Sequence, residues 1–160
     1  MSRIEELKDR IDSKTLNFVL LTMASLGMYA LIWMYRSNQI IGEVTQRRIV
    51  DLNYFIWITV CLGWSGAFGA TEEPSLLLIS AAFSLAYGVL NILWAFKARA
   101  ALVEYALSEH RIYLRMNSFY TFLFQAFYIN YCINDLPEEK RRQELFRGDA
   151  PPSAHGTPRV

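Results

Sequence analysis

Charged residues are missing from four long stretches of the chain, at residues 15–35, 52–71, 74–96 and 116–134. A helix needs about 20 consecutive apolar residues to cross the hydrocarbon layer of a bilayer, and each stretch is close to that length. Ion-coupled transport normally uses an ionisable residue inside the membrane, so this absence argues against a transporter. With 53% hydrophobic and 14% aromatic residues among 160, the composition indicates a membrane protein.

Cysteine and histidine are also scarce, with two of each. Cys61 and Cys132 lie in apolar stretches without CxxC spacing, so neither a disulfide framework nor a zinc motif is indicated. The sequence contains no glycine-rich phosphate loop. His110 with Glu104 and Glu109 is the one candidate acid-base set, but on an amphipathic segment such residues more often form a solvated face. We therefore expect no catalysis, no metal and no cofactor.

Net charge is only +1, so the chain lacks the basic field that attracts nucleic acid. The position of the basic residues is more informative than their sum. There are four Lys or Arg residues in the N-terminal arm, three in the connector 36–51, four in the connector 97–115 and four in the C-terminal helix. The turn between residues 71 and 74 has none. Four spans would divide these residues eight against seven, whereas two central spans would place all fifteen on one side.

The positive-inside rule favours the second arrangement. The predicted fold is an all-α membrane protein whose central transmembrane hairpin, at residues 52–71 and 74–96, is flanked by two re-entrant or in-plane helical segments at residues 15–35 and 116–134. Four transmembrane helices are the alternative. Ser25 and Gly27 could break the first flanking segment, and Gln125 and Asn130 could break the second, since polar groups can satisfy backbone freed at a break.

The polar segments are predicted to be helical as well. Residues 1–14 form a cytoplasmic amphipathic helix, and the connectors 36–51 and 97–115 form amphipathic helices at the interface. Asp135 and Glu138 have capping-box spacing and Pro137 lies in the first turn, so a final helix is predicted from about residue 136 to residue 146, with Gly148 as its end signal. Residues 15–147 would then be one helical membrane domain, followed by a disordered tail at residues 148–160.

Small residues recur at every fourth position on both helices of the hairpin. Such ridges let helix backbones approach closely in lipid, and we expect them to pack the two helices together, with a homo-oligomer seam as the alternative. The residues are Thr59, Gly63 and Ala67 on the first helix and Ser80, Ser84 and Gly88 on the second.

Polar and basic side chains near the membrane boundary complete the candidate sites. Asparagine amides could form one hydrogen-bonded cluster, and a basic group in the final helix could bind lipid headgroups. The amides belong to Asn53, Asn91, Asn117, Asn130 and Asn134, and the basic group is Lys140, Arg141 and Arg142.

Two stretches resemble a known family. Residues 20–36 contain Gly27-Met28-Tyr29 followed by Trp33 and Arg36, which resembles the Gly-x-Tyr and Trp-x-x-(Lys/Arg) signature of the domain of unknown function 4234 family. Residues 117–134, with Tyr128, Asn130 and Asn134, resemble that family's aromatic ending. The resemblance implies a small integral protein of the bacterial inner membrane and no established activity.

The two flanking segments are the predicted membrane-inserted motif, comprising Gly27, Tyr29, Trp33, Tyr128, Asn130 and Asn134. Tyr29, Trp33 and Arg36 share one helical face and are predicted to form an interfacial anchor. The first hypothesis for function is a non-enzymatic scaffold or a protein and lipid interaction module. Its expected partners are the bilayer and either a second copy or another membrane protein, and both termini would be cytoplasmic. The alternative is an oligomeric channel lined by Asn53, Ser80, Ser84 and Asn91.

Overall fold

A computed structural model describes residue 11 and residues 14–110 and 114–148, and the regular structure in this part of the chain is entirely α-helical. The predicted all-α class is confirmed there. The predicted tail from residue 149 and nearly all of the predicted helix at residues 1–14 lie outside the described residues. The helices are α1 Thr15–Ala24, α2 Met28–Thr45, α3 Leu52–Gly69, α4 Pro74–His110 and α5 Ser118–Gly148.

The first hydrophobic stretch reverses direction between α1 and α2. Leu26 and Gly27 adopt left-handed backbone, with φ of 51° and 91°. The reversal brings the ring of Phe18 on α1 to 4.6 Å from the ring of Trp33 on α2. The predicted break at Ser25 and Gly27 is therefore confirmed, and it leaves α1 only 10 residues long.

Helix α2 does not end at the charged boundary. It continues past Arg36 to Thr45 and ends where Gln46 turns left-handed. The prediction of a separate interfacial helix at residues 36–51 is therefore wrong. Because a helical backbone does not depend on the polarity of its side chains, the change to polar residues marks a change of surroundings and not a helix end.

Helices α3 and α4 form an antiparallel hairpin that is linked near both ends. The Tyr54 hydroxyl donates to the Leu90 carbonyl at 2.6 Å, and the Ser80 hydroxyl donates to the Ser65 carbonyl at 2.8 Å. Helix α4 is 37 residues long in total and extends beyond the hairpin to His110. The second connector was predicted as a separate element at residues 97–115. Residues 97–110 are instead the C-terminal part of α4.

The fourth hydrophobic stretch bends sharply at Gln125, where φ is 44° and ψ is −118°. The bend brings the Tyr128 hydroxyl to 2.9 Å from the Asn117 amide that donates to it. In a straight helix these residues would lie about 16 Å apart along the axis, so the chain folds back on itself. The predicted break at Gln125 is confirmed, whereas Asn130 lies in regular helix.

The segment after this bend contains the predicted C-terminal helix. It runs without interruption through Pro137 to Gly148, so the prediction of a separate helix from residue 136 is wrong, although its end at Gly148 is confirmed. Residues before Pro137 continue the helix despite the amide that proline lacks. The predicted final helix is thus a continuous extension of the fourth hydrophobic stretch.

Among the described residues, one helix is long and apolar enough to cross a membrane. It is α4 over Pro74–Ser108, whose most apolar window has a mean hydropathy of 2.1 and is only 6% buried. An apolar helix that the protein itself leaves uncovered suggests membrane association. Helix α3 has 18 residues and is not a second such helix, so the predicted pair of spans is not established by length and composition.

The left-handed glycine gives a direct test of the first reversal. Gly27→Ala should lower the free energy of unfolding by about 1–2 kcal/mol, because an L side chain is strained at this backbone geometry. Gly63→Ala is the matched control, since Gly63 is helical and an added Cβ would meet nothing within 4 Å. Unfolding in detergent micelles followed by circular dichroism measures both, and equal losses of stability would contradict the turn.

Candidate functional site

The two reversed segments meet each other and α4 through a chain of aromatic rings. Phe18 is fully buried, with its ring 4.6 Å from that of Trp33 and 4.9 Å from that of Phe127. Trp33 in turn contacts Trp94 edge to face at 6.2 Å. Contacts of this kind contribute beyond the area they bury. This aromatic chain therefore connects α1, α2, α4 and α5 in one core.

Trp33 has a different role from the one predicted. It is 5% exposed and lies between Phe18 and Trp94, so it is a core residue and not an interfacial anchor. Tyr29 is half-buried beside Phe18, at 5.9 Å between ring centroids, while Arg36 stays exposed. The reason is the reversal at Gly27, which places α1 against the face of α2 that was expected to meet the membrane surface.

A polar contact joins the same two segments. The amides of Asn130 and Asn134 on α5 donate to the Thr15 hydroxyl on α1 at 3.3 and 3.5 Å. Asn130 is completely buried. A buried amide is costly without hydrogen-bond partners, so these contacts favour one relative position of the two segments. We call Thr15, Asn130 and Asn134 the polar clasp.

The single amide cluster predicted from the sequence is not present. The Asn91 side chain donates within α4 to the Tyr87 carbonyl at 2.8 Å, and the Asn117 side chain accepts from the Phe119 amide at the start of α5. Asn53 is exposed at the start of α3. Of the five predicted amides, Asn130 and Asn134 come together, because they lie four residues apart on α5 and both reach the Thr15 hydroxyl.

The remaining motif residues lie at the two reversals. Gly27 faces α4, where an added Cβ would lie 4.0 Å from the Tyr87 hydroxyl. The Ser25 hydroxyl accepts from the Tyr29 amide at 2.9 Å, which satisfies an N–H at the start of α2. Tyr128 closes the second reversal through its bond to Asn117. Hydrogen bonds within the protein therefore stabilise both reversals.

The small-residue ridge of α3 does not pack against α4. Thr59, Gly63 and Ala67 are exposed, and an added Cβ on Gly63 would meet nothing within 4 Å. The prediction that this ridge joins the hairpin is wrong, because α3 instead buries Phe55 and Ile58. On α4 the prediction fits Ser80, which is buried and bonded to α3, whereas Ser84 is exposed and an added Cβ on Gly88 would meet nothing within 4 Å.

The basic group of α5 lies beside carboxylates. Arg141 and Arg142 are exposed and Lys140 is half-buried, and Arg142 pairs with Glu139 at 3.2 Å. Burial, and then the neighbouring Glu139 and Glu138, raise the pKa of Asp135 above its ordinary value. These acidic neighbours reduce the attraction of the group for anionic headgroups. Headgroup binding by these three residues stays a prediction.

Several of the candidate catalytic and channel residues whose side chains the structure describes have partners elsewhere. Glu104 pairs with Arg47 at 2.5 Å, and both cysteines are free and buried. Within residues 14–110 and 114–148 there is no group of three His, Cys, Asp or Glu side chains that could hold a metal ion. Of the proposed channel lining, Ser80 and Asn91 are engaged in hydrogen bonds to backbone carbonyls.

Sequence reasoning missed Phe18, Thr15 and Asn38. The Asn38 amide donates to the Val50 carbonyl at 3.0 Å, and its oxygen accepts from the Trp94 indole at 3.3 Å. None of these residues belongs to a recognisable motif, and each has a role only because the fold brings distant segments together.

Within the described residues, the fold is all-helical and includes one helix that is long and apolar enough to cross a membrane. Comparison with protein-family models, with curated proteins and with solved structures finds no match for the chain. Its function is therefore inferred from its own geometry.

A double-mutant cycle tests the polar clasp. Thr15→Val and Asn130→Ala should each destabilise the protein, and their effects should be non-additive by about 0.5–1.5 kcal/mol, as for interhelical hydrogen bonds in membranes. Thr15→Val with Asn53→Ala is the matched control. The effects of these two substitutions on the free energy of unfolding should be additive, because Asn53 is exposed on α3. Additivity in both pairs, measured by unfolding in micelles, would contradict the clasp.

Proposed function

We propose that this chain is an integral membrane scaffold in which α3 and α4 cross the bilayer, while the reversals at Gly27 and Gln125 insert into the cytoplasmic leaflet. It acts by presenting these inserted segments and the helical extensions below them to lipids and to partner proteins. It has no catalytic role. On this proposal it belongs with the small bacterial inner-membrane proteins that residues 20–36 and 117–134 resemble.

The observation that carries the proposal is the exposure of large apolar side chains at both reversals. Leu26, in the turn between α1 and α2, is 88% exposed, and Leu123, beside the second bend, is 54% exposed. Exposure of these side chains to water would be unfavourable, whereas hydrocarbon would solvate the tips of the two reversals that carry them. The tips therefore fit insertion into lipid.

The contacts of α2 with α4 indicate how deep the first reversal lies. Gly27 faces the Tyr87 hydroxyl and Arg47 pairs with Glu104, so α2 runs alongside α4. The first charge on α4 after Tyr87 is Lys97, about ten residues and therefore about 15 Å further along the axis. That distance is half of a hydrocarbon layer of about 30 Å. The turn at Gly27 would then lie near the bilayer midplane.

The second reversal is shallower. The segment that leads into it begins at Met116, whose carbonyl accepts from Arg99 at 2.8 Å. Arg99 lies two residues after Lys97 on α4. Only residues 118–124 rise from there before the bend at Gln125, which is about 10 Å of helix. The returning helix then meets α1 at Phe18 and Thr15. Both segments thus enter and leave on the side where the basic residues are concentrated.

Helix α3 is proposed to cross beside α4. Its 18 residues give about 27 Å of helix, close to the thickness of the hydrocarbon layer. It remains paired with α4 from Tyr54 to Ser65, and its outer face exposes Ile56, Trp57 and Trp64. The turn beyond it holds Glu72 and Glu73 and no basic residue, as expected for a segment outside the cytoplasm.

Labelling with a membrane-impermeant thiol reagent tests this topology. In a background lacking Cys61 and Cys132, single cysteines at Lys14, Gln46 and Glu72 are all at exposed positions. In sealed vesicles, Lys14→Cys and Gln46→Cys should react from the same side and Glu72→Cys from the other, and all three should react after the vesicles are permeabilised.

Each other result has a distinct meaning. If Lys14→Cys and Gln46→Cys were labelled from opposite sides, the first flanking segment would span the membrane, which would contradict its re-entry. If Gln46→Cys and Glu72→Cys were labelled from the same side, α3 would not cross the membrane.

A further inference from the structure

A groove of about 620 Å³ lies between α2 and the start of α3, and its floor is the loop at residues 46–51. This volume is within the range of small-ligand sites, about 300–1,000 Å³. The groove is separate from the reversals and from the basic group of α5.

The loop that forms the groove is held in place by the helices around it. Asn38 donates to the Val50 carbonyl and accepts from Trp94, which links the loop to α2 and α4. At the other end, a Cβ on Gly42 would lie 3.1 Å from the Arg47 carbonyl, so the loop backbone contacts α2 closely. A groove with a fixed floor can bind a ligand without ordering the loop first.

The lining of the groove combines apolar and charged side chains. Tyr35 and Phe55 meet edge to face at 5.4 Å, and Leu52, which also lines the groove, is 60% exposed. The charged lining consists of two basic and two acidic residues: Glu43, Arg47, Arg48 and Asp51. An amphipathic ligand with charges of both signs would match this lining.

Two of these charges are available to a ligand. Arg47 already pairs with Glu104 on α4. Arg48 and Asp51 lie 3.7 Å apart, with their side chains 93% and 75% exposed. An exposed pair at that distance contributes little to stability, so a ligand that offers each of them a better partner can separate them.

We propose that this groove binds a phospholipid whose headgroup carries a phosphate and a primary ammonium group. Arg48 binds the phosphate, Asp51 binds the ammonium, and the acyl chains lie along Tyr35, Leu52 and Phe55. This assignment rests on the proposed function, which places the start of α3 at the cytoplasmic headgroup layer. A purely anionic headgroup fits less well because Asp51 and Glu43 would repel it, and a quaternary ammonium cannot donate hydrogen bonds to Asp51.

Lipid titration of the purified full chain in detergent micelles tests the assignment, with binding followed by native mass spectrometry. Phosphatidylethanolamine should bind about tenfold more tightly than phosphatidylcholine or phosphatidylglycerol, the effect of one charge-assisted hydrogen bond. Because micelles have no sidedness, this result does not depend on the thiol-labelling outcome, so failure of the lipid site and failure of the topology are distinguishable.

Two variants divide the headgroup contacts. Arg48→Gln should weaken the binding of all three lipids, about tenfold for phosphatidylethanolamine. Asp51→Asn should weaken the binding of phosphatidylethanolamine alone. Arg141→Gln is the matched control, since it removes an exposed charge outside the groove and should change nothing. Equal losses for Arg48→Gln and Arg141→Gln, or tighter binding of phosphatidylglycerol than of phosphatidylethanolamine, would overturn the proposal.

Discussion

A chain can reverse inside hydrocarbon only if the backbone groups at the turn find hydrogen-bond partners within the protein. The first reversal meets this requirement locally. The Gly27 amide donates to the Thr22 carbonyl at 2.8 Å, the Met28 amide donates to the Ser25 carbonyl, and the Tyr29 amide donates to the Ser25 hydroxyl. Left-handed geometry at Gly27 allows these bonds, because without it α1 would continue straight. The remaining contacts of α1 depend on this turn.

The reversal also explains how such short helices are stable. An isolated helix of 10 residues is marginal, since few hydrogen bonds offset its nucleation. Here Phe18 is buried between α2 and α5, and the polar clasp links Thr15 to Asn130. The two reversed segments thus stabilise each other against α4, which serves as a common support. On the proposed topology, such a scaffold presents fixed surfaces at three levels: the tip of the first reversal at the midplane, the groove at the headgroup layer and the helical extensions.

Particular residues show what the sequence could and could not predict. Both breaks were predictable because Ser25, Gly27 and Gln125 are local exceptions within apolar stretches. The lengths of α2, α4 and α5 were not predictable, because the side chains change from apolar to polar while the helical backbone continues. The Thr59–Ala67 ridge was assigned to the wrong face, since spacing identifies a helical face but not its neighbour. Asn38 has its role only through Val50 and Trp94, which no local pattern connects.

The depth of Leu26 tests the central claim, that the first segment reverses within the membrane, most directly. A spin label on Leu26→Cys, in protein lacking Cys61 and Cys132 and reconstituted in vesicles, should report a position about 15 Å below the cytoplasmic boundary, with high access to oxygen and little to a polar relaxation agent. Leu145→Cys is the control, since Leu145 is 65% exposed on the extension of α5 and should give the opposite pattern. Access of the polar agent to Leu26 as ready as to Leu145 would contradict the account.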